Sequence, residues 1–218
     1  LKNASDLSHS STSAFASGMA AIHAVLVSRT PTTVVLPTDC YHGVPYMLDH
    51  FADTMNLQFQ MIDPADTKSI SSALSSALNE KKRPLLWMES PSNPLCSISD
   101  IRALSDLAKS VDESVGVVVD STWSPPTITR PFEHGADVSL HSATKFMGGH
   151  SDVLSGVVTS RGGTEVGREI GAGVKNCQGA MGGVCAPFDA WLILRGLRSM
   201  EVRVERMCAN AGKIAAFL

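Results

Sequence analysis

Short apolar runs rich in β-branched residues alternate along this chain with stretches of helical periodicity. Most of these runs are apolar throughout, which is typical of strands covered on both faces. The predicted strands are 33–36, 57–62, 85–88, 116–119, 137–140 and 154–158. The predicted helices are 18–27, 70–78, 101–111 and roughly 200–218. The alternation predicts an α/β fold with a mainly parallel sheet and helices on both faces.

Composition narrows the class of protein. The 218 residues suffice for one large α/β domain or two small ones, and 44% hydrophobic residues exclude a disordered chain. A net charge of -3, without any run of Lys or Arg, argues against a protein that binds nucleic acid. Because no apolar stretch reaches the roughly 18 residues that a membrane helix needs, we expect no membrane span.

The cysteines and the chain ends give information on the cellular compartment of the protein and on its length. Five cysteines without a C-x-x-C pair predict neither a disulfide framework nor a cysteine-based zinc site, and a reducing cytoplasm fits best. Residues 1–6 do not form a signal peptide, although an organellar targeting segment would precede residue 1. The chain lacks an initiator Met and stops inside an apolar helical pattern, so we expect a fragment of a longer protein.

Polar residues follow four of the predicted strands, where an open α/β sheet binds its ligand. These residues are Asp39 to His42, Glu89 to Asn93, Asp120 to Thr122 and His141 to Lys145. Ser17-Gly18-Met19 adds a helix N-terminus, whose free N–H groups favour a phosphate. The glycine-rich stretch 162–183 is predicted to be a long loop with one helical turn.

This set of side chains matches what pyridoxal 5′-phosphate (PLP) requires. The cofactor needs a lysine for its covalent link, an acid for its ring nitrogen and donors for its phosphate. Asp120 ends an apolar strand, where an unpaired carboxylate would be costly and a cationic ring nitrogen would satisfy it. Lys145 follows two hydroxyl residues, Ser142 and Thr144, which could donate to the phosphate.

Some of the polar and cysteine residues also have other interpretations. His141 and His150 could suggest a metal site, but the residues around them fit a cofactor lysine loop better, so no metal is predicted. Cys40 could be a nucleophile, although a small buried thiol is the better interpretation. A dinucleotide-binding module would need a G-x-G-x-x-G motif after a strand, which is absent from the sequence. The alternative that the chain is a catalytically silent scaffold stays open.

Six motifs, in order along the chain, resemble the Cys/Met-metabolism family of PLP-dependent enzymes. They are Ser17-Gly18-Met19-Ala20-Ala21-Ile22, Glu89-Ser90-Pro91-Ser92-Asn93-Pro94, Asp120-Ser121-Thr122, His141-Ser142-Ala143-Thr144-Lys145, Gly148-Gly149-His150-Ser151-Asp152 and Leu194-Arg195-Gly196-Leu197-Arg198. The resemblance implies a fold-type I, aminotransferase-like large domain over residues 1–198, incomplete at its N-terminus. Residues 199–218 would begin the helix that leads to a C-terminal domain. It also implies a homotetramer, a dimer of dimers, acting on small amino-acid substrates.

The resemblance also implies roles for individual residues. Lys145 would form the Schiff base and then move protons between substrate carbons, Asp120 would pair with the ring nitrogen, and Tyr41 would stack on the ring and steer protons. Asn93 would contact the phenolic oxygen, and Thr122 would lie against the ring. The phosphate would be bound by Gly18, Met19, Ser142 and Thr144.

The chain departs from the family pattern at Ser121, where the family usually has Asn, at His42, where it often has Gly, and at Phe146, where it has Tyr. None of these removes a named cofactor contact. Within the family, Asp39-Cys40-Tyr41 favours γ-replacement, in which an activated homoserine ester and cysteine give cystathionine. A cystathionine or methionine γ-lyase and an O-acylhomoserine sulfhydrylase stay open.

Overall fold

Residues 10–218, which the computed structural model describes, contain one seven-stranded sheet flanked by helices. The strands are β1 (Ser11–Phe15), β2 (Thr32–Pro37), β3 (Leu57–Ile62), β4 (Leu85–Glu89), β5 (Gly116–Asp120), β6 (Val138–His141) and β7 (Gly156–Ser160). The helices are α1 (Gly18–Val27), α2 (Gly43–Phe51), α3 (Thr67–Asn79), α4 (Ile101–Val111), α5 (Glu165–Met181) and α6 (Pro187–Phe217), with a short 3-10 helix at Pro131–His134.

The sheet is mainly parallel, as the sequence predicts. Its strand order is β1-β7-β6-β5-β4-β2-β3, in which β2 to β6 run parallel and β7 pairs antiparallel with both β6 and β1. After β2 the chain moves outward to β3 and then returns to the other side of β2 to form β4. This reversal makes a topological switch point between β2 and β4, where α/β sheets bind ligands.

Helices cover both faces because neighbouring residues of each central strand point to opposite sides. On β5, Val118 packs in one core cluster, together with Ile170 of α5 and residues of α1 and α2. Val117 and Val119 pack in a second cluster, with Leu74 of α3 and residues of α4. The α/β fold class and the helices on both faces are therefore confirmed.

The predicted loop at 162–183 is wrong, because most of it forms helix α5. Its glycines serve close packing rather than chain flexibility. A Cβ on Gly171 would lie 2.2 Å from Ser160 Oγ, and a Cβ on Gly173 would lie 2.3 Å from the carbonyl oxygen of Ser28. The missing side chains let α5 lie directly on its neighbours.

Helix α6 begins earlier than the predicted helix and crosses the segment that follows Lys145. A Cβ on Gly196 would lie 2.2 Å from the carbonyl oxygen of Met147 and 2.3 Å from that of Gly148, so only glycine allows this crossing. The predicted domain boundary after residue 198 falls inside α6 and stays a prediction. Despite the length of α6, no helix in the described part of the chain is apolar enough to cross a membrane.

Candidate active site

A cavity of about 1050 Å³ opens at the carboxyl ends of β2, β4, β5 and β6, beside the start of α1. All the site residues predicted from the sequence line it. They are Gly18, Met19, Tyr41, Asn93, Asp120, Thr122, Ser142, Thr144 and Lys145. The structure therefore brings the nine residues together, while their individual roles stay predictions.

Asp120 is a buried acid, 5% exposed, at the floor of this cavity. Its Oδ1 accepts hydrogen bonds from the backbone N–H and the hydroxyl of Thr122, at 3.0 and 2.6 Å. The Thr122 hydroxyl in turn accepts the N–H of Ser142 at 2.8 Å, which ties the β5 end to the β6 end. Burial raises the pKa of Asp120 to about 6, against the effect of these hydrogen bonds. No cation pairs with its carboxylate among residues 10–218.

The start of α1 supplies a site for an anion. Ser17 caps the helix by accepting the N–H of Ala20 at 3.1 Å, and Gly18 lets the helix approach Ser142 closely. Ser142 Oγ has no hydrogen-bond partner within the described chain, so it is available to a ligand. Thr144 differs, because its hydroxyl is engaged by the backbone of Ser155 at 3.0 to 3.2 Å.

Tyr41 follows β2 and is half-buried at the cavity wall. Its ring lies so close to Gly43 that a Cβ there would come within 2.4 Å of Tyr41 Cε1 and 2.7 Å of Met19 Sδ. Gly43 thus allows the first turn of α2, the Tyr41 ring and Met19 to share one side of the cavity. The neighbouring His42 meets the ring edge-on, with centroids 4.7 Å apart.

Lys145 is exposed to the cavity at the end of the loop after β6. The next residue is held by α6, because Arg203 Nη2 donates to the carbonyl oxygen of Phe146 at 3.0 Å. The same nitrogen donates to the carbonyl oxygen of Gly196 at 2.8 Å. These contacts fix the backbone that carries the lysine, while no carboxylate pairs with its amine in the part of the chain described.

Sequence reasoning left several cavity residues without a role, among them Glu89, Trp123 and Arg203. Glu89 had a usable signal, since it ends an apolar strand just as Asp120 does. Trp123 directly follows the polar residues after β5. Arg203 had no signal, because only the crossing of α6 over the lysine loop brings it to the cavity.

Glu89 and Asp120 are two buried carboxyls side by side. They are register partners on β4 and β5, and Glu89 is 4% exposed. Burial, together with the charges of Asp120 and Asp39, raises the pKa of Glu89 to about 8, although N–H donors from Tyr41 and Asn93 oppose the rise. Asp120 therefore carries the charge of the pair at neutral pH, and Glu89 is mostly protonated.

We expect the cofactor-free chain to lose stability as the pH rises from 6.5 to 8. In this window folded Glu89 still binds a proton that the unfolded chain has released, so the free energy of unfolding falls with pH. The fall is up to about 2 kcal/mol, at about 1.4 kcal/mol per pH unit. Burial lowers the pKa of His141 to about 4 and raises that of Cys40 to about 12, so neither changes its protonation in the folded chain within the window.

Urea unfolding of the parent chain and of Glu89→Gln at several pH values measures this effect. The variant should lack the fall in stability that the parent chain shows between pH 6.5 and 8. Glu113→Gln, which changes an exposed glutamate, is the matched control and should keep the parent's slope. An equal slope in all three proteins would show that Glu89 ionises normally.

Comparison with known proteins identifies the family. The model of the family described as "Cys/Met metabolism PLP-dependent enzyme" matches residues 4–218. The chain is 36% identical over 206 residues to cystathionine beta-lyase of Lactococcus lactis subsp. cremoris, covering 94% of this chain and 51% of that protein. It is 37% identical over 207 residues to cystathionine gamma-synthase of Mycobacterium bovis, covering 94% and 50%.

Among solved structures, cystathionine gamma synthase of Xanthomonas oryzae pv. oryzae in complex with aminoacrylate and cysteine superposes with a TM-score of 0.78. The two are 34% identical, and the match covers 95% of this chain and 51% of that one. The chain thus spans about half the length of the relatives it matches. PLP, the cofactor expected from the sequence, is the cofactor of this family. The chain belongs to the Cys/Met metabolism PLP-dependent enzyme family.

Proposed function

We propose that this chain forms the cofactor site of an enzyme that joins an activated homoserine ester to cysteine, giving cystathionine and releasing the acyl group as a carboxylic acid. The observation that carries the proposal is the shared cavity of Lys145 and Asp120. A free amine faces a buried carboxyl there, and neither group pairs with an opposite charge within residues 10–218.

The residues present fit PLP. Asp120 would pair with the ring nitrogen, because a cation there offsets the cost of burying its carboxylate. The N-terminus of α1 at Gly18 and Met19, with the free hydroxyl of Ser142, would bind the phosphate. Thr144 would contribute less than its position suggests, since Ser155 already engages its hydroxyl.

The remaining lining residues would orient the cofactor from its sides. Tyr41 would stack on the ring, and the Asn93 amide would hydrogen-bond its phenolic oxygen. Thr122 would hold Asp120 in place through its two hydrogen bonds to Oδ1. Tyr41, Asn93 and Thr122 lie in the loops after β2, β4 and β5, so the sheet sets their spacing.

When bound, PLP supplies an electron sink that stabilises negative charge on the α-carbon of an amino acid. The protein's own contribution is proton transfer and positioning. Lys145 Nζ would remove the proton from the substrate α-carbon and return a proton after the γ-substituent has been exchanged. The Tyr41 hydroxyl, on the same cavity wall, would assist the proton movements.

The choice of γ-replacement rests on the Asp39-Cys40-Tyr41 motif and on the gamma-synthases among the relatives. Elimination is the second candidate, because a cystathionine beta-lyase matches at nearly the same identity. The homotetramer, the cytoplasmic location and the division into residues 1–198 and 199–218 belong to the same proposal, on the strength of the family resemblance.

Product analysis tests the proposed activity. The chain is incubated with PLP and an O-acylhomoserine, with and without cysteine, and the products are identified by mass spectrometry. Cystathionine formed only with cysteine supports γ-replacement. α-Ketobutyrate formed equally with and without cysteine indicates a γ-lyase, and homocysteine from added sulfide a sulfhydrylase. Pyruvate from cystathionine indicates a β-lyase. Absence of every product would favour a silent scaffold.

A further inference from the structure

Glu89 lies beside the loops that follow two neighbouring strands, β2 and β4. It is the last residue of β4, lines the cavity and is almost fully buried. On one side lies the loop after β2 with Tyr41, and on the other lies the loop after β4 with Asn93. No basic side chain pairs with its carboxyl within residues 10–218.

Backbone N–H groups from both loops face this one carboxyl. The Tyr41 N–H donates to Glu89 Oε2 at 2.6 Å, a short bond from a half-buried residue to a buried carboxyl. The backbone N–H of Asn93 also stabilises the charged form of this carboxyl, which lowers its pKa. Tyr41 and Asn93 are two of the residues expected to contact the ring, and Glu89 lies against the backbone N–H groups of both.

The Tyr41 ring depends on this bond for its place. Gly43 and Met19 confine the ring on one side at close distance, but the backbone of Tyr41 is held to the sheet by Glu89. A second tie joins the same loops further out, where the Ser92 hydroxyl donates to the carboxylate of Asp39. Loss of the Glu89 acceptor would leave a buried N–H unpaired, which costs enough to shift the loop.

We propose that Glu89 is a positioning residue that sets the Tyr41 ring and the Asn93 amide relative to Asp120, without contacting the cofactor itself. The inference rests on the proposed function, since the ring that Tyr41 faces is that of PLP. The acidic and thiol groups facing Glu89 are Asp120 on β5, and Asp39 and Cys40 after β2. Because these neighbours are acidic or thiol groups, Glu89 is better suited to accept hydrogen bonds from backbone N–H groups than to bind a substrate.

A double-mutant cycle separates positioning from general structural support. Glu89→Gln keeps the size of the side chain but replaces one carboxylate oxygen with an NH2 group, which cannot accept the Tyr41 N–H. The dissociation constant of PLP is measured by absorbance titration for the parent, Glu89→Gln, Tyr41→Ala and the double variant. We expect Glu89→Gln to weaken binding about tenfold in the parent and less than about twofold in the Tyr41→Ala background.

Visible circular dichroism provides a further test of the positioning role. The visible circular dichroism of bound PLP should change in Glu89→Gln, because the ring is held differently, and should not change in the Glu113→Gln control. Equal losses of affinity in both backgrounds, or unchanged dichroism, would overturn the positioning role. If Glu89→Gln does not fold, Glu89→Asp, whose carboxyl is one methylene shorter, takes its place in the cycle.

The proposed function is checked in the same experiment. Borohydride treatment of the PLP-loaded parent chain, followed by peptide mapping, should place the adduct on Lys145. If the adduct is on Lys145 but Glu89→Gln weakens PLP binding equally in both backgrounds, only the positioning role of Glu89 is disproved. If the folded parent chain gives no adduct on Lys145, the proposed function is disproved, and the positioning role with it.

Discussion

Lys145→Ala is expected to abolish covalent attachment of PLP and to slow turnover of the homoserine ester by about 100- to 10,000-fold. The variant removes the amine proposed to carry the cofactor and to move the substrate protons, and positioned acid–base groups contribute rate factors of this size. Lys145 is exposed, so its loss should leave the fold intact. Borohydride trapping with peptide mapping measures attachment, and product formation measures the rate.

Lys213→Ala is the matched control, because Lys213 is an exposed lysine near the end of α6 that does not line the cavity. It should keep both the adduct and the parent rate. Adding a primary amine to Lys145→Ala should restore part of the turnover without restoring the adduct. An adduct on another lysine of the variant, with turnover unchanged, would contradict the role of Lys145.

The site could be predicted from the sequence because parallel strands deliver their carboxyl ends to one edge. Asp120 and Lys145 lie 25 positions apart along the chain, yet each follows a buried apolar strand, and β5 and β6 are neighbours in the sheet. Once the strands are recognised, the polar residues after them must meet. The motifs around these residues then indicated the cofactor.

Helix α5 shows where sequence patterns mislead. Glycines at 171 and 173 signal flexibility when only the local sequence is considered, but here they make room for Ser160 and Ser28. Whether a glycine is needed for a turn or for close packing depends on its tertiary neighbours. Strand β1 was not predicted for a related reason. It is short and largely polar, and it is stabilised by tertiary pairing with β7.

Glu89 and Arg203 were missed for different physical reasons. Glu89 carries the same signal as Asp120, but the sequence does not tell which of two strand-end acids meets a ligand and which holds the backbone. That distinction comes from the Tyr41 N–H, which bonds to Glu89 alone. Arg203 is one of several arginines on α6, and only the path of that helix selects it to hold Phe146.

Asp120→Asn is expected to weaken PLP binding by about 100- to 1,000-fold. Asparagine keeps an oxygen for the N–H and the hydroxyl of Thr122, so the change removes the charge while preserving the hydrogen bonds. Losing one partner of a buried ion pair costs about 3–5 kcal/mol, and the lower part of that range, about 3–4 kcal/mol, corresponds to this change in the dissociation constant. Absorbance titration of the variant with PLP measures the change.

Asp152→Asn is the matched control for this second prediction. Asp152 also lines the cavity, but its carboxylate is partly exposed and pairs with Arg195 at 3.3 Å on the surface. Such pairs contribute little, so binding should change less than about threefold. If the two variants bind PLP equally, negative charge in the cavity is not what the ring nitrogen requires. If only Asp120→Asn loses affinity, the requirement is for a charge at the buried end of β5, where water cannot replace the ring as its partner.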